Sequence, residues 1–264
     1  FQDSGSITVT ANSNTVEPGT APGNVYGIAS INCATSSYTI CGNTLSGGTA
    51  AGNLRHISSD YVAVISATIS NNTITGGTSG SYYGIGFSSS SQGIDKLIIS
   101  NNVINPGTSS GELYGIVGYG TISGNKITGG MAGYYYGIGG YGTISGNKVT
   151  GGMAGTTYRG IYLYTGKCIS NTVFAGGSSG MSVAVYSGHS PDLQLEITNN
   201  VLHGGNGVYT FGILFEPGNP RPGTKVYNNV IHGGTGNTSY SLNHSDSDLN
   251  FILKNNILIM IMNN

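Results

Sequence analysis

The chain has 264 residues, and glycine occupies 46 of them, whereas Asp, Glu, Lys and Arg together make up only 7 % against about 25 % in an ordinary globular domain. Because charged and long aliphatic helix formers are scarce, this composition disfavours a helical protein. The formal charge of −1 without a basic patch speaks against a nucleic-acid-binding protein, and no apolar run approaches the roughly 20 residues that a membrane helix needs.

A nine-residue pattern recurs along the chain: apolar, any residue, Asn or Gly, Asn, any residue, apolar, any residue, Gly, Gly. Residues 69–77 show it in full. If the second Asn of each copy is taken as an anchor, the anchors are Asn14, Asn43, Asn72, Asn102, Asn125, Asn147, Thr172, Asn200, Asn229 and Asn256. Neighbouring anchors lie 22–30 residues apart, and such a period is typical of solenoids and propellers.

A second motif, an aromatic residue followed by Gly and Ile, lies about 12 residues after most anchors. Its clearest copies are 26–28, 83–85, 114–116, 136–138 and 211–213, with Arg in the first place at 159–161. Each repeat therefore holds two or three short segments with the strand period of two, fewer than the four strands of a propeller blade. The sequence predicts an all-β, single-domain parallel β-helix over residues 1–264, with about ten coils of 22–30 residues. The last coil begins at about residue 251 and is incomplete.

The repeat also predicts the inside of a coil. Ile69 and Ile74 should point inward, with Asn72 at the bend between them, while Thr73 and Thr75 should face solvent. Stacked anchor amides can hydrogen-bond to one another along the axis and so satisfy inward polar groups. Thr172 is expected to interrupt this row once.

The repeated Ser-Asn-Asn-Thr-Ile-Thr-Gly-Gly and Tyr-Tyr-Gly-Ile strings resemble those of right-handed parallel β-helix repeat proteins with pectate-lyase-like architecture. They are most similar to Ser/Asn/Gly-rich repeat proteins that bacteria secrete or display, including leptospiral-type lipoproteins. The resemblance covers about residues 7–262 and implies a right-handed helix. The enzymes of this fold are polysaccharide lyases and hydrolases, but their Asp clusters with Lys or Arg have no clear match here.

The cysteines are consistent with an exported protein. Cys33 and Cys41 are eight residues apart and could close a disulfide, or remain two buried thiols. Cys168 is expected to be buried and unpaired. The chain begins at Phe1 rather than Met, so we interpret it as a mature or trimmed form, secreted or on the cell surface.

The stretch Phe251–Met262 is apolar on both faces, although a strand facing a coil interior needs only every second residue apolar. One face should fill the last coil, and the other should meet something else. A tail folded over its own coil is favoured for the isolated domain. The alternatives are oligomer formation through this C-terminal end and a further C-terminal segment.

Candidate catalytic residues come from loops after the second strand of neighbouring coils. His189, Glu216 and Asp246 lie 16 or 17 residues after their anchors. One coil rise would place the two carboxyl groups about 5 Å apart, as in a retaining glycosidase. Solvated loop residues are the simpler interpretation. Asp246 and Asp248 could also bind Ca²⁺, although the full ligand set of a calcium loop is missing.

Two further sets of side chains are candidates for binding. His203 and His232 both follow their anchors by three residues and could hold a metal ion with a third ligand. No carboxylate or cysteine lies nearby in register, so two stacked surface histidines are favoured and no cofactor is expected. The recurrent Tyr column should stack between coils. The additional Tyr82, Tyr134 and Tyr135 could form an exposed platform for sugars or a protein partner.

The sequence favours a non-enzymatic, exported β-helix scaffold that binds carbohydrate or protein partners. A charge-poor surface of Gly, Ser, Thr and Asn suits contact through hydrogen bonds and Tyr. The alternative is a polysaccharide-active enzyme, a lyase or glycoside hydrolase, of the pectate-lyase-like fold. Neither nucleic-acid binding nor a membrane span is expected.

Overall fold

The computed structural model describes residues 6–31, 35–60, 63–87, 97–188, 195–216, 223–244 and 252–259. These residues confirm the predicted all-β parallel β-helix, which has about eight turns. The prediction of about ten coils was slightly too high; within the described residues, the last repeat supplies two short strands and closes no turn.

The described residues form 29 strands. In chain order they are β1 (Ser6–Asn12), β2 (Thr15–Val16), β3 (Thr20–Ala21), β4 (Val25–Ile31), β5 (Thr35–Cys41), β6 (Thr44–Ser46), β7 (Thr49–Asp60), β8 (Ala63–Ser70), β9 (Thr73–Thr75), β10 (Thr78–Phe87), β11 (Leu97–Ser100), β12 (Val103–Asn105), β13 (Thr108–Ser109), β14 (Glu112–Ser123), β15 (Lys126–Thr128), β16 (Met131–Ser145), β17 (Lys148–Thr150), β18 (Met153–Ile169), β19 (Thr172–Phe174), β20 (Gly177–Ser178), β21 (Met181–Ser187), β22 (Leu195–Thr198), β23 (Val201–His203), β24 (Asn206–Phe215), β25 (Lys225–Tyr227), β26 (Val230–His232), β27 (Thr235–Asn243), β28 (Ile252–Lys254) and β29 (Ile257–Ile259).

Each turn has three sides. A strand such as β11 leads to the anchor Asn, a three-residue strand such as β12 follows it, and a third strand such as β10 completes a turn. The ten short strands that follow the anchors stack into one sheet, which we call the small sheet, and the other 19 form a second, larger sheet. The strands β14, β16 and β18 pass from the third side of one turn into the first side of the next without a break.

The core consists of apolar columns that run along the axis. Ile69 and Ile74 are fully buried, as predicted, while Thr73 and Thr75 are exposed. Each buried residue packs on its register partner in the next turn; Ile74, for example, pairs with Ile104. Because burial is shared between turns in this way, no single coil can hold its own core.

The predicted asparagine row is present and has one direction. The backbone N–H and the Nδ2 of Asn72 both donate to Oδ1 of Asn102, at 3.0 and 2.9 Å. The second Nδ2 hydrogen of Asn72 bonds to the carbonyl of Ile40 in the preceding turn at 2.9 Å. The same bonds recur through the row, so each buried amide has its partners where water cannot reach.

The predicted interruption at Thr172 is wrong. Asn171, not Thr172, occupies the row, and it accepts from Asn147 and donates to Asn200. The strand register explains the shift, since Cys168 rather than Ile169 pairs with Ile144 and fills the buried apolar position. The row is therefore continuous from Asn14 to Asn256.

The residue before each row asparagine has a positive φ. These ten residues are Ser13, Gly42, Asn71, Asn101, Gly124, Gly146, Ser170, Asn199, Asn228 and Asn255. The left-handed region suits Gly, tolerates Asn and is costly for most other residues. The repeated Asn-Asn and Gly-Asn pairs thus encode a left-handed turn followed by an inward amide.

The asparagine row gives a first prediction. Asn72→Ala removes the acceptor for two donors of Asn43 and the donor for the Ile40 carbonyl, so we expect a loss of about 3 kcal/mol in the free energy of unfolding. The neighbouring Thr73→Ala, on the exposed side of the same strand, should change it by less than about 0.5 kcal/mol. Denaturant unfolding of both variants measures the difference, and equal losses would contradict the assigned faces.

The left-handed turns give a second prediction. Ser170 has φ 55°, so Ser170→Gly should relieve strain and raise the free energy of unfolding by about 0.5–1 kcal/mol. Ser145→Gly is the control, because Ser145 lies within β16 and Gly in a strand costs about 0.5–1 kcal/mol. Thermal melts should therefore move in opposite directions, and a lower melting temperature for Ser170→Gly would refute the strain.

Candidate functional site

An open groove of about 660 Å³ runs along the solenoid axis on the third side of the turns; we call it the axial groove. Its lining comes from five successive turns and consists of Thr108, Ser109, Met131, Ala132, Gly133, Met153, Ala154, Gly155, Gly177, Ser178, Ser179 and Asn206. None of these side chains carries a charge. The groove therefore offers apolar contact and hydrogen bonds without electrostatic steering.

Two methionines form the wall of the axial groove. Met131 and Met153 are register partners in β16 and β18, and they are 52 % and 61 % exposed. The next partner in this column is Gly177, so the methionine wall ends there. Behind the wall, Ala132 and Ala154 turn inward and are buried.

A glycine forms part of the groove floor. Gly133 lies at a β-bulge in β16, where the register with β18 shifts. A Cβ added to Gly133 would come within 3.0 Å of the Ser110 carbonyl oxygen and 3.1 Å of that of Gly111. The absence of a side chain therefore lets β16 approach the backbone of the preceding turn closely at the groove floor.

A ladder of stacked tyrosines lies farther along the same strands, as the Tyr column predicted. The ring centroids of Tyr83 and Tyr114 are 5.2 Å apart, and those of Tyr114 and Tyr136 are 4.4 Å apart, with nearly parallel rings. Arginines occupy the same column at both ends: the Arg55 guanidinium lies 4.6 Å from the Tyr83 ring centroid and that of Arg159 lies 5.3 Å from Tyr136. The ladder is thus a row of five planar groups, held by stacking and cation–π contacts.

Arg159 is surrounded by aromatic rings. Its guanidinium lies 4.0 Å from the ring centroid of Tyr186 and 5.0 Å from that of Tyr162, and its Nη1 donates to the Tyr136 hydroxyl at 3.2 Å. Burial raises the pKa of Tyr186 to about 12; Arg159 opposes this shift and the Glu216 carboxylate adds to it. Glu216 therefore lies at the edge of the aromatic cluster.

The expected platform of Tyr82, Tyr134 and Tyr135 is wrong for two of the three residues. Tyr82 and Tyr135 are fully buried, whereas Tyr134 is 43 % exposed. Alternation along the strand turns Tyr135 inward between the outward Tyr134 and Tyr136. The Tyr135 ring stacks on Tyr158 at 4.5 Å inside a second core.

Glycines make room for the buried tyrosines. A Cβ on Gly130 or Gly152 would lie 3.0 or 3.1 Å from Tyr135 Cε2. Both glycines also have positive φ. The Gly-Gly pairs of the repeat therefore serve the turn and the interior at once.

Only part of the catalytic candidate set lies within the described residues. Glu216 is half-buried beside Tyr186. His189 and Asp246, like Asp248, lie outside the described residues, so the carboxylate pair and the Ca²⁺ site stay predictions. His244, which flanks Asp246 in sequence, is half-buried with its ring 6.4 Å from that of Phe215.

His203 and His232 stack as predicted, with ring centroids 4.4 Å apart and an interplanar angle of 5°. Their Nδ1 atoms accept backbone N–H bonds from Gly205 at 3.0 Å and Gly234 at 2.8 Å. A neutral imidazole whose Nδ1 accepts must carry its proton on Nε2, which leaves no lone pair there for a metal. Burial and His232 also lower the pKa of His203.

Within the described ranges, no three His, Cys, Asp or Glu side chains come together as metal ligands would. The described part of the chain contains no helix with the length and apolar character that a membrane crossing requires.

The cysteines are partly described. Cys168 is buried, as predicted, and burial raises the pKa of its thiol to about 12. Cys41 has a free thiol, with its Sγ 3.2 Å from Ser70 Oγ. Cys33 lies outside the described residues, so the structure offers no support for the predicted disulfide.

The sequence reasoning missed a buried histidine. In the second turn, the Tyr-Gly-Ile motif is replaced by Arg55, His56 and Ile57. Arg55 lies twelve residues after Asn43, where other turns have the aromatic residue, and this spacing could have revealed His56. His56 is fully buried, with its ring 5.6 Å from that of Tyr82.

Glycines flank His56 in the neighbouring turns. The register places Gly27 and Gly84 next to His56, and a Cβ added to Gly27 would come within 2.6 Å of the His56 carbonyl oxygen. Burial lowers the pKa of His56 to about 4. The imidazole is therefore neutral at physiological pH.

Comparison with protein-family models, with curated proteins and with solved structures finds no match for this chain. The pectate-lyase-like and leptospiral-type resemblances therefore remain predictions beyond the shared parallel β-helix.

His56 gives a third prediction. Its pKa is lower in the folded chain than the ordinary 6.5, so the unfolded chain binds the proton more tightly and folding stability falls as the pH drops from about 6.5 to about 4. We expect the wild type to lose about 3 kcal/mol more than His56→Gly over this range. Denaturant unfolding at both pH values measures this, and parallel losses in the two proteins would contradict the lowered pKa.

Proposed function

We propose that this chain is a non-enzymatic, exported β-helix scaffold that binds an extended, uncharged glycan along the axial groove. The observation that carries the proposal is the groove itself, with its exclusively uncharged lining. At about 4.8 Å per turn, five turns span roughly 20 Å, the length of several sugar units. Ligand sites commonly combine apolar walls with a few polar groups that fix orientation.

The groove lining suits the two kinds of surface on a sugar. Met131 and Met153 present polarizable, adaptable side chains to the C–H surface of a ring. Hydrogen bonds to sugar hydroxyl groups are available from the side chains of Thr108 and Asn206 and from the backbone at Ser179. An uncharged lining favours neutral glycans over polyuronates, which would require cationic partners.

The tyrosine ladder is a poorer sugar site than the groove. Sugars stack on ring faces, but the faces of Tyr114 and Tyr136 cover one another at 4.4 Å. The Arg55 guanidinium lies over the Tyr83 ring. We therefore assign the ladder a structural role.

A fourth prediction tests the proposal. Met153→Arg places a long charged side chain in the axial groove, at a position exposed enough to leave the fold intact. Its matched control is Ile98→Arg, which is 43 % exposed on β11, away from the groove lining. A glycan array identifies neutral oligosaccharides that the wild type retains, and calorimetry then measures their affinity.

We expect Met153→Arg to weaken binding at least tenfold, about 1.4 kcal/mol, and Ile98→Arg to leave it unchanged. Retention of no neutral glycan, or equal loss in both variants, would defeat the proposal. Release of new reducing ends or unsaturated products, abolished by Glu216→Gln, would instead favour a polysaccharide-active enzyme.

A further inference from the structure

We propose that the axial groove selects neutral glycans that carry an N-acetyl group, and that it receives this group in a notch at Gly177. This preference rests on the proposed function, because it concerns the same groove and narrows the class of glycan that the groove takes. The notch is the one position at which the wall of the groove lacks a side chain, and it lies beside Met153 and Asn206.

The notch interrupts a continuous column of outward residues. The strand register joins one residue from each repeat between β3 and β27 into this column. In chain order, its members are Thr20, Thr49, Thr78, Thr108, Met131, Met153, Gly177, Asn206 and Thr235. Among these members only Gly177 has no side chain, so the gap is particular to one turn and is not a general property of the solenoid.

The space above Gly177 is open. A Cβ added there would meet no heavy atom within 4 Å other than those of its chain neighbours, whereas a Cβ on Gly133 in the same groove would lie 3.0 Å from the Ser110 carbonyl oxygen. Gly177 also lies within β20 without a positive φ. Neither a close approach nor a left-handed backbone therefore requires glycine here, and its effect is to leave a gap in the groove wall.

Met153 and Asn206 bound the notch on its two sides. Both are register partners of Gly177 in the adjacent turns, so each lies about 4.8 Å from it along the axis. Because non-bonded carbon atoms pack about 3.5–4 Å apart, a planar group one atom thick fits between the two side chains and lies close to both. The width of the notch thus matches that of one planar substituent on a sugar ring.

The two side chains beside the notch complement the two parts of an acetamido group. Met153 is 61 % exposed, and its polarizable thioether suits the methyl group. The Asn206 side chain is exposed and makes no hydrogen bond within the described part of the chain. Its amide offers both donors and an acceptor, so it can pair with the carbonyl and the N–H of the acetamido group.

Other sugar substituents use these contacts less completely. A hydroxyl group has no methyl group to place against Met153, and an O-acetyl ester has no N–H to donate to Asn206 Oδ1. A carboxylate or an ammonium group would require a partner of opposite charge, and the groove lining contains no charged residue. An acetamido group is therefore the substituent that best fits the notch.

The test compares neutral glycans that differ at a single substituent. An array is printed with matched pairs, among them oligomers of N-acetylglucosamine and of glucose with equal length and linkage, and is read over a range of protein concentrations to give apparent Kd values. Gly177→Val fills the notch. Thr78→Val is the control, because Thr78 lies in the same column but outside the groove lining. Circular dichroism checks that each protein is folded, and Gly177→Ala repeats the test with a smaller side chain.

We expect the wild type and Thr78→Val to bind the N-acetylated member of a pair at least tenfold more tightly, which is the discrimination that a small apolar pocket provides. Gly177→Val should bind both members alike and keep the affinity of the wild type for the hydroxyl member. Gly177→Ala should show a reduced preference.

Two results would overturn the notch and leave the proposed function of the groove intact. One is binding of neutral glycans by the wild type without a preference for N-acetylated members. The other is a preference that is as strong in Gly177→Val as in the wild type. Retention of no neutral glycan by the wild type would overturn both the notch and the proposed function.

Discussion

The structure depends on one constraint: a polar amide must be satisfied inside an apolar solenoid at every turn. Between the two ends of the row, each asparagine meets it by bonding to the turn before and the turn after. Asn102, for example, donates to Asn125 and to the Ile69 carbonyl. Because an unpaired buried amide is costly, a turn shifted by one residue would lose several bonds at once. The amides thus fix the register that the apolar columns alone would leave open.

Glycine provides the second requirement, which is space for unusual neighbours. Gly130 and Gly152 leave room for the Tyr135 ring. The partners of Tyr135 in its own column are the large Leu113 and Tyr158, so the space for the ring comes from the Gly-Gly turns.

The fold could be predicted from the sequence because each position of the repeat has a definite physical role. Ile69 and Ile74 mark the inside, Asn72 the row, and the period marks one turn. The error at Thr172 arose because the motif was aligned on Ile169, whereas burial selects Cys168. A pattern of residue types could not distinguish these two registers, but the continuity of hydrogen bonds along the row does.

The candidate site was harder to predict than the fold. Tyr134, Tyr135 and Tyr136 are identical residues, and only the strand phase decides that Tyr135 points into the interior while Tyr134 stays 43 % exposed. The spacing of His203 and His232 predicted that their rings stack. It could not reveal the hydrogen bonds from Gly205 and Gly234 that occupy their Nδ1 atoms, and these bonds decide the metal interpretation. The axial groove arises from small residues and a bulge at Gly133, and an absence of side chains leaves little signal in a sequence.

The common direction of the asparagine row has an electrostatic consequence. Strand dipoles in a sheet largely cancel, but these side-chain amides all direct Oδ1 toward the first turn and one of their two N–H bonds toward the last turn. Their dipoles add along the axis as peptide dipoles add along a helix. The solenoid thus has a weakly positive pole at its last turn and a weakly negative pole at its first. In a chain with so few charged side chains, this aligned row contributes to the long-range field that an approaching molecule meets.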